Sequence, residues 1–382
     1  MFYYVSQYVL SLAAGTAWAE YLSPLRIFRY ITFRSAGAAV TALLLSLWLG
    51  PKVIAWLKEL HFGQNYRDRA EAAGDFTGRA SRKVGTPTMG GLLIVMTLNL
   101  TTLLWAQWNT FVQLTLLAVA VLAGLGFYDD YTKITEGSAK GAKSPIKLWV
   151  QGLLALFIGL YLWWMPSTAK LISDIMVPFS KYPVATGLAS VGLLLTVLTI
   201  VGSSNAVNLT DGLDGLAIGC TLIVAFVFLV MTYLAGNIKA ATYLQIPYVS
   251  GTGELTVFCA ALIGAGLGFL WYNCHPAQVF MGDTGSLALG GALGIVAVLI
   301  HQPFVLFIAG GVFVMEAASV IMQTGWYRYT KRRYGAGQRI FLMAPIHHHF
   351  ERKNWHESQV VMRFYILCVL CAVVALSTLK IR

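Results

Sequence analysis

The sequence predicts an all-α polytopic membrane protein with about ten transmembrane helices. Three observations carry that reading. Only 11% of the residues are charged and 57% are hydrophobic, with a mean hydropathy of +0.68; a soluble domain carries about twice that charge. Ten apolar runs, near 37–57, 89–108, 111–128, 148–165, 186–204, 216–235, 255–272, 285–300, 304–325 and 361–379, each approach the length that a crossing needs, about 20 residues. Five aspartates, Asp129, Asp130, Asp211, Asp214 and Asp283, stand where such runs end.

Ten spans place both termini on one side and the loops after odd-numbered spans on the other. Seventeen of the 27 Lys and Arg residues fall in three of those loops. Six lie between Lys58 and Lys83, four between Lys133 and Lys147, and seven between Arg328 and Lys353. Basic residues mark cytoplasmic loops, so the termini are expected to be periplasmic and loops 58–88, 129–147, 205–215, 273–285 and 326–360 cytoplasmic. All five aspartates then share the cytoplasmic face. The formal charge of +11 is read as topology and as an attraction for anionic headgroups and substrates. It is not the footprint of a nucleic-acid-binding domain, because the charges are scattered between spans.

Residues 1–34 are expected to form a periplasmic, interfacial N-terminal segment, and 35–382 a ten-helix transmembrane domain. Ala17-Trp18-Ala19 mimics a signal cleavage site, but no basic residue precedes it, so the segment is read as retained. Cys220, Cys259, Cys274, Cys368 and Cys371 lie in or beside spans and are read as packing groups. Glycines crowd the seventh and eighth spans, which suits close helix approach.

Asp129 and Asp130 are followed by Lys133. Neighbouring helical positions point about 100° apart, so the two acids face different partners. One is free to meet a metal or nucleophile while the other braces a neighbour. In Asn205-Ala206-Val207-Asn208-Leu209-Thr210-Asp211-Gly212-Leu213-Asp214-Gly215 polar groups recur every third residue. A short 3₁₀ turn or loop aligns them better than an α-helix, and amides and carboxylates there suit a base, a ribose or a sugar. Asp283 opens a new apolar run, where a carboxylate serves as a helix cap or, among other acids, as a Mg²⁺ ligand. His347, His348 and His349 lack zinc-site company and suit phosphate contact or leaving-group protonation. Lys83, Thr88 and the Gly90 and Gly91 amides stand before a helix start, where phosphate is readily cradled. Glu316, inside the ninth span, is read as a packed, hydrogen-bonded group.

Together these motifs resemble the phospho-N-acetylmuramoyl-pentapeptide-transferase family. The resemblance rests on Gly85-Thr86-Pro87-Thr88-Met89-Gly90-Gly91, Asp129-Asp130 with Lys133, Asn205 through Gly215, Pro276 through Asp283, and Ala344-Pro345-Ile346-His347-His348-His349-Phe350-Glu351, in that order. Residues 1–31 do not match strongly, and Tyr327–Gly337 is longer and more basic than the family pattern. The resemblance implies transfer of phospho-MurNAc-pentapeptide from UDP-MurNAc-pentapeptide to undecaprenyl phosphate with Mg²⁺, giving lipid I and UMP. It places the enzyme in the bacterial inner membrane, in contact with the lipid bilayer and as a homodimer. Carried over, Asp283 holds the metal. Asp129 and Asp130 serve the phosphoryl step, and His347 is a catalytic or phosphate-binding histidine. Lys83, Thr88, Asn208, Asp211, Asp214, Asn273, Phe280, Gln323, His348 and His349 bind substrate. Direct attack by the lipid phosphate is favoured, because that phosphate is already ionised near pH 7; a covalent aspartyl intermediate is the alternative. Two rivals remain: a UDP-GlcNAc-type polyprenyl-phosphate transferase, and an ion-coupled transporter, which would carry its acids near mid-membrane.

Overall fold

In the computed structural model the described residues are 1–16, 18–60, 85–135, 141 and 143–379. Their main helices are α1 (Phe2–Ala13), α2 (Ile31–Glu59), α3 (Gly91–Trp105), α4 (Thr110–Thr135), α5 (Ser144–Trp164), α6 (Ala189–Thr210), α7 (Leu216–Ala235), α8 (Gly253–Asn273), α9 (Gly282–Leu299), α10 (Pro303–Ala309), α11 (Gly311–Tyr334), α12 (Ile346–Arg352) and α13 (Glu357–Ser377). Short helical turns connect some of them, and one isolated antiparallel bridge joins Ile175 to Ala185. Among the described residues eight helices are long and apolar enough to cross a bilayer, or nine if the bent α10–α11 pair is one span. Helix α3 has 15 residues and falls short of that length, so the expected count of ten is met only by including it.

Burial ranks the helices by depth. In α9, 89% of the most apolar window is buried, against 28% in α2 and 33% in α5 and α13. Helix α9 is therefore the central post, with α4 and α6 packed on it, while α2 lies outside and packs on α8. A helix apolar on all sides suits such a central position.

Four expectations need correction. The ninth span, 304–325, is not one helix: α10 and α11 meet at Gly310 with a bend of 83°. Adjacent Gly residues are a common site of such breaks. The first span begins at Ile31, so a boundary at 34/35 falls inside α2. Helix α4 runs on to Thr135 and α6 to Thr210, so Asp129, Asp130, Asn205 and Asn208 are helical rather than part of loops. The turn begins only at Asp211, and Gly215 takes φ +80° before α7. The expected 3₁₀ alignment of 205, 208, 211 and 214 is thus replaced by an α-helical end followed by a glycine turn.

The outcome is one crowded end of the bundle. The C-termini of α4, α6 and α8 meet the N-termini of α5, α7 and α9 there, joined by the polar contacts described next.

Candidate active site

Asp129 and Asp130 diverge as their helical spacing requires. Asp130 turns toward α9 and accepts hydrogen bonds from the Asp283 amide (3.2 Å), the Thr284 amide (3.0 Å) and the Thr284 hydroxyl (2.8 Å). It caps α9 from a neighbouring helix, where amides lack intrahelical partners and the dipole favours a negative charge. Asp129 joins Asp283 through two ammonium groups. Lys147, from the first turn of α5, reaches Asp129 at 2.7 Å and Asp283 at 2.8 Å. Lys133, one turn beyond Asp129 on α4, reaches Asp129 at 2.5 Å and Asp283 at 3.1 Å. Asp129 and Asp130 are buried, and Asp283 is partly exposed.

Two glycines make this approach possible. A Cβ on Gly126 would fall 2.2 Å from the Asp283 carbonyl oxygen, so α4 comes this close to the start of α9 because residue 126 has no side chain. Gly282 takes φ +71°, and a Cβ there would sit 2.6 Å from an Asp130 carboxylate oxygen. Positive φ and close approach both favour glycine.

The carboxylate oxygens of Asp129, Asp130 and Asp283 lie within 4.8 Å of one another. An all-oxygen donor set of this kind fits a hard divalent cation. A cavity of about 320 Å³ opens beside it, lined by Thr88, Lys133, Asn208, Asp211, Asp214, Asn273, Phe280, Asp283 and the 212–213 turn. Burial, then the charges on Asp283 and Asp130, push the Asp211 carboxyl up to about 8, although the Gly282 amide donates to it.

The cavity wall is tightly knit. The Asn273 side chain accepts from the Gly215 amide at 3.1 Å and donates to the Val279 carbonyl at 2.8 Å. Asp214 accepts from the Ala277 amide at 3.2 Å and lies 3.0 Å from His275 Nδ1, while its own amide donates to Glu357 at 2.9 Å. The Thr88 hydroxyl is buried with no partner among the described residues and lines the cavity.

The glycine amides before α3 do not cradle phosphate. Gly90 donates to the Phe280 carbonyl (2.8 Å), Gly91 to the Met281 carbonyl (2.9 Å), and the Phe280 amide to Pro87 (2.9 Å). The segment is instead a short ladder that fixes Phe280 and the approach to Asp283. Lys83 lies outside the described residues.

The three histidines on α12 point three ways. His347 is fully buried; its Nδ1 lies 3.0 Å from Glu316, and its Nε2 faces Gly212 with no hydrogen-bond partner among the described residues. Burial outweighs the Glu316 contact and holds the His347 imidazole below its usual range. His348 pairs with Glu351 at 2.6 Å, and His349 accepts from the Leu342 amide at 3.1 Å. Neither lines the cavity. Gln323 lies apart too, on α11, with its amide bonded to the backbone of Ile340 and Phe341.

Sequence reasoning counted Lys147 only as a topology marker. A signal was present: a Lys in the first turn of a helix runs against the dipole and needs a compensating acid.

The chain is a membrane-embedded transferase. The sequence profile described as glycosyl transferase family 4 matches residues 112–301, and the profile described as phospho-N-acetylmuramoyl-pentapeptide-transferase signature 1 matches residues 83–95. The chain is 47% identical over 366 residues to the phospho-N-acetylmuramoyl-pentapeptide-transferase of Methylacidiphilum infernorum, covering 96% of this chain and 98% of the relative. It is 50% identical over 357 residues to that of Citrifermentans bemidjiense, covering 93% and 95%. It is 47% identical over 366 residues to that of Neisseria meningitidis serogroup C, covering 95% and 98%. The chain belongs to the phospho-N-acetylmuramoyl-pentapeptide-transferase family and is an enzyme of that family.

Proposed function

We propose that the protein transfers phospho-MurNAc-pentapeptide from UDP-MurNAc-pentapeptide to undecaprenyl phosphate, forming lipid I and UMP, in a Mg²⁺-dependent reaction. The observation that carries the reading is the acid–lysine cluster opening into a polar cavity at one end of the spans. A prenyl chain stays in the bilayer and a nucleotide sugar stays in water, so the reaction needs a site at the interface between them. The basic loops support a cytoplasmic position for that end, periplasmic termini and an inner-membrane location. A homodimer is part of the same reading and rests on the resemblance.

Asp283, with Asp129 beside it, would hold Mg²⁺, and Asp130 would keep α9 in position. When bound, the ion neutralises diphosphate charge and favours departure of the leaving phosphate. The protein groups do the rest. Lys133 and Lys147 stand among the acids and are placed to meet phosphate oxygens, which lowers repulsion between two anionic reactants. Asn208, Asp211, Asp214 and Phe280 line the space for the nucleotide. A lipid phosphate oxygen attacks the sugar-bearing phosphorus, and the bond from that phosphorus to the oxygen of UMP breaks. No proton needs to be removed from an ionised acceptor phosphate, which favours direct attack over an aspartyl intermediate.

The test supplies purified protein, Mg²⁺ and undecaprenyl phosphate with either UDP-MurNAc-pentapeptide or UDP-GlcNAc. UMP release is expected from the first donor only. Release from UDP-GlcNAc but not from the muramoyl donor overturns the reading. In a single turnover without acceptor, UMP release with a trapped phospho-enzyme would replace direct attack by the covalent route.

A further inference from the structure

Lys147 bridges Asp129 and Asp283 from the first turn of α5, yet that turn is lightly packed. Ile146, Leu148 and Trp149 beside it are exposed, and 33% of the most apolar window of α5 is buried. A flexible lysine stem on such a helix does not by itself settle between two carboxylates. The rotation of α5 has to be fixed elsewhere.

Gln151 stands one helical turn further on, on the same face as Lys147, and is fully buried. Its side-chain nitrogen donates to the Ser204 hydroxyl of α6 at 3.1 Å, and its side-chain oxygen accepts from the Asn205 side chain at 2.8 Å. The Ser204 hydroxyl donates in turn to the Leu287 carbonyl of α9 at 2.9 Å. Each polar side-chain atom of Gln151 and Ser204 therefore has a partner. Leu287 is one turn beyond Asp283, just as Gln151 is one turn beyond Lys147. The relay through Ser204 is thus a second rung between α5 and α9, about 6 Å along the helices from the Lys147–Asp283 contact.

The far anchor of this rung is firm. A Cβ on Gly290 would fall 2.4 Å from the Ser203 carbonyl oxygen, so α6 and α9 meet backbone to backbone beside the relay. Asn205 belongs to the polar run expected to face a substrate, but it is engaged here, inside the bundle. An apolar residue at 151 would need no partners at all. Polar groups buried between spans are costly and are kept where they act, and a fully satisfied network holds its helices in one arrangement.

We propose that Gln151 is a positioning residue for Lys147. Through Ser204 and Asn205 it sets the rotation of α5 against α6 and α9, and so holds the Lys147 ammonium between Asp129 and Asp283. The consequence for turnover rests on the proposed function, in which Lys147 meets phosphate oxygens. The placement of Lys147 does not.

The test therefore has two readouts on protein in nanodiscs. The first is the rate at which an amine-acylating reagent modifies Lys147, followed by mass spectrometry with Lys52 of α2 as the internal reference. Gln151→Leu should raise that rate about fivefold, the worth of one buried hydrogen bond. Ser204→Ala cuts the relay without touching α5 and should act in the same direction, which keeps the test open if Gln151→Leu does not fold. The second readout is kcat for UMP release from UDP-MurNAc-pentapeptide. Gln151→Leu should lower it about tenfold through misplacement of the ammonium. In a Lys147→Ala background the same substitution should change kcat by less than about twofold, because its effect runs through Lys147. Unchanged Lys147 reactivity in both relay variants overturns the proposal. So do equal falls in kcat with and without Lys147, which would assign Gln151 to the fold alone. If the unaltered protein releases no UMP, the proposed function fails, while the rise in Lys147 reactivity is still expected and still decides the placement.

Discussion

Charge is buried at both ends of this bundle, in two different ways. At the end away from the cavity, Arg34 of α2 and Glu254 of α8 form a two-armed pair at 2.5 and 2.6 Å. Glu254 also accepts from the Gln107 amide at 2.8 Å, and Arg34 donates to the Trp105 carbonyl at 3.3 Å. One acid meets one base, and the backbone around them takes up further donors and acceptors. At the cavity end three acids share two lysines, and each lysine touches more than one carboxylate. Burying charge is costly in either place. The closed pair offsets that cost by ties between α2, α8 and the end of α3, and each carboxylate oxygen and each terminal guanidinium nitrogen is taken up within it. The shared cluster keeps its lysines and acids exchangeable, so a cation or a phosphate can replace one partner without stranding the other. Residues of the same types make a scaffold in one place and, in the proposed function, a reaction site in the other.

The largest expected effect breaks the open network. Asp283→Asn should lower UMP release by about 10³-fold or more, while the melting temperature stays within a few degrees of the unaltered protein. In the proposed function the removed charge serves the reaction rather than the packing. Near-normal turnover in this variant would remove Asp283 as the metal ligand and erase the contrast between the two ends.

The closed pair should respond in the opposite sense. Glu254→Gln leaves the Arg34 guanidinium buried without its counter-charge, and removing one partner of such a pair costs about 3–5 kcal/mol. Denaturation in detergent should show that loss, with turnover per folded molecule changed by less than about twofold. A large loss of turnover in protein shown to be folded would mean that the two ends are coupled.

Much of this contrast was legible in the chain. Apolar runs located the helices because each needs a bilayer's length of such residues, and acids at their ends stood out against a composition poor in charge. What stayed hidden depends on partners far away in sequence. Gly90 and Gly91 look like a phosphate cradle until Phe280 and Met281 take up their amides. The break at Gly310 sits inside an unbroken apolar run, and two adjacent glycines read equally well as packing or as a hinge. Lys133 and Lys147 were visible as charges, but their sharing between α4, α5 and α9 exists only once those helices converge. The His triplet gave a location without a division of labour. That division is set by Glu316 for His347, by Glu351 for His348 and by the Leu342 amide for His349.

The smallest expected effect concerns His347, which belongs to neither arrangement. Like Arg34 it is fully buried against one acid, yet its Nε2 has no partner among the described residues. Burial holds its pKa below the usual value of 6.5 despite Glu316. The neutral ring then donates from Nδ1 to Glu316, and Nε2 is an acceptor facing the Gly212 turn. The sign of the stability effect follows. Below about pH 6.5 the unfolded chain takes up a proton at this position before the folded protein does. Stability is therefore complete above that pH and is lost as the pH falls toward the lower folded value. His347→Gln cannot titrate, so its melting temperature should fall less than that of the unaltered protein between pH 7 and 5.5. The difference should be about 2 °C. His301, also held low by burial, contributes equally to both proteins and cancels in the comparison. Parallel curves would mean that folding leaves the His347 pKa unshifted, and a smaller fall for the unaltered protein would mean that the folded state holds His347 charged; either outcome overturns the prediction.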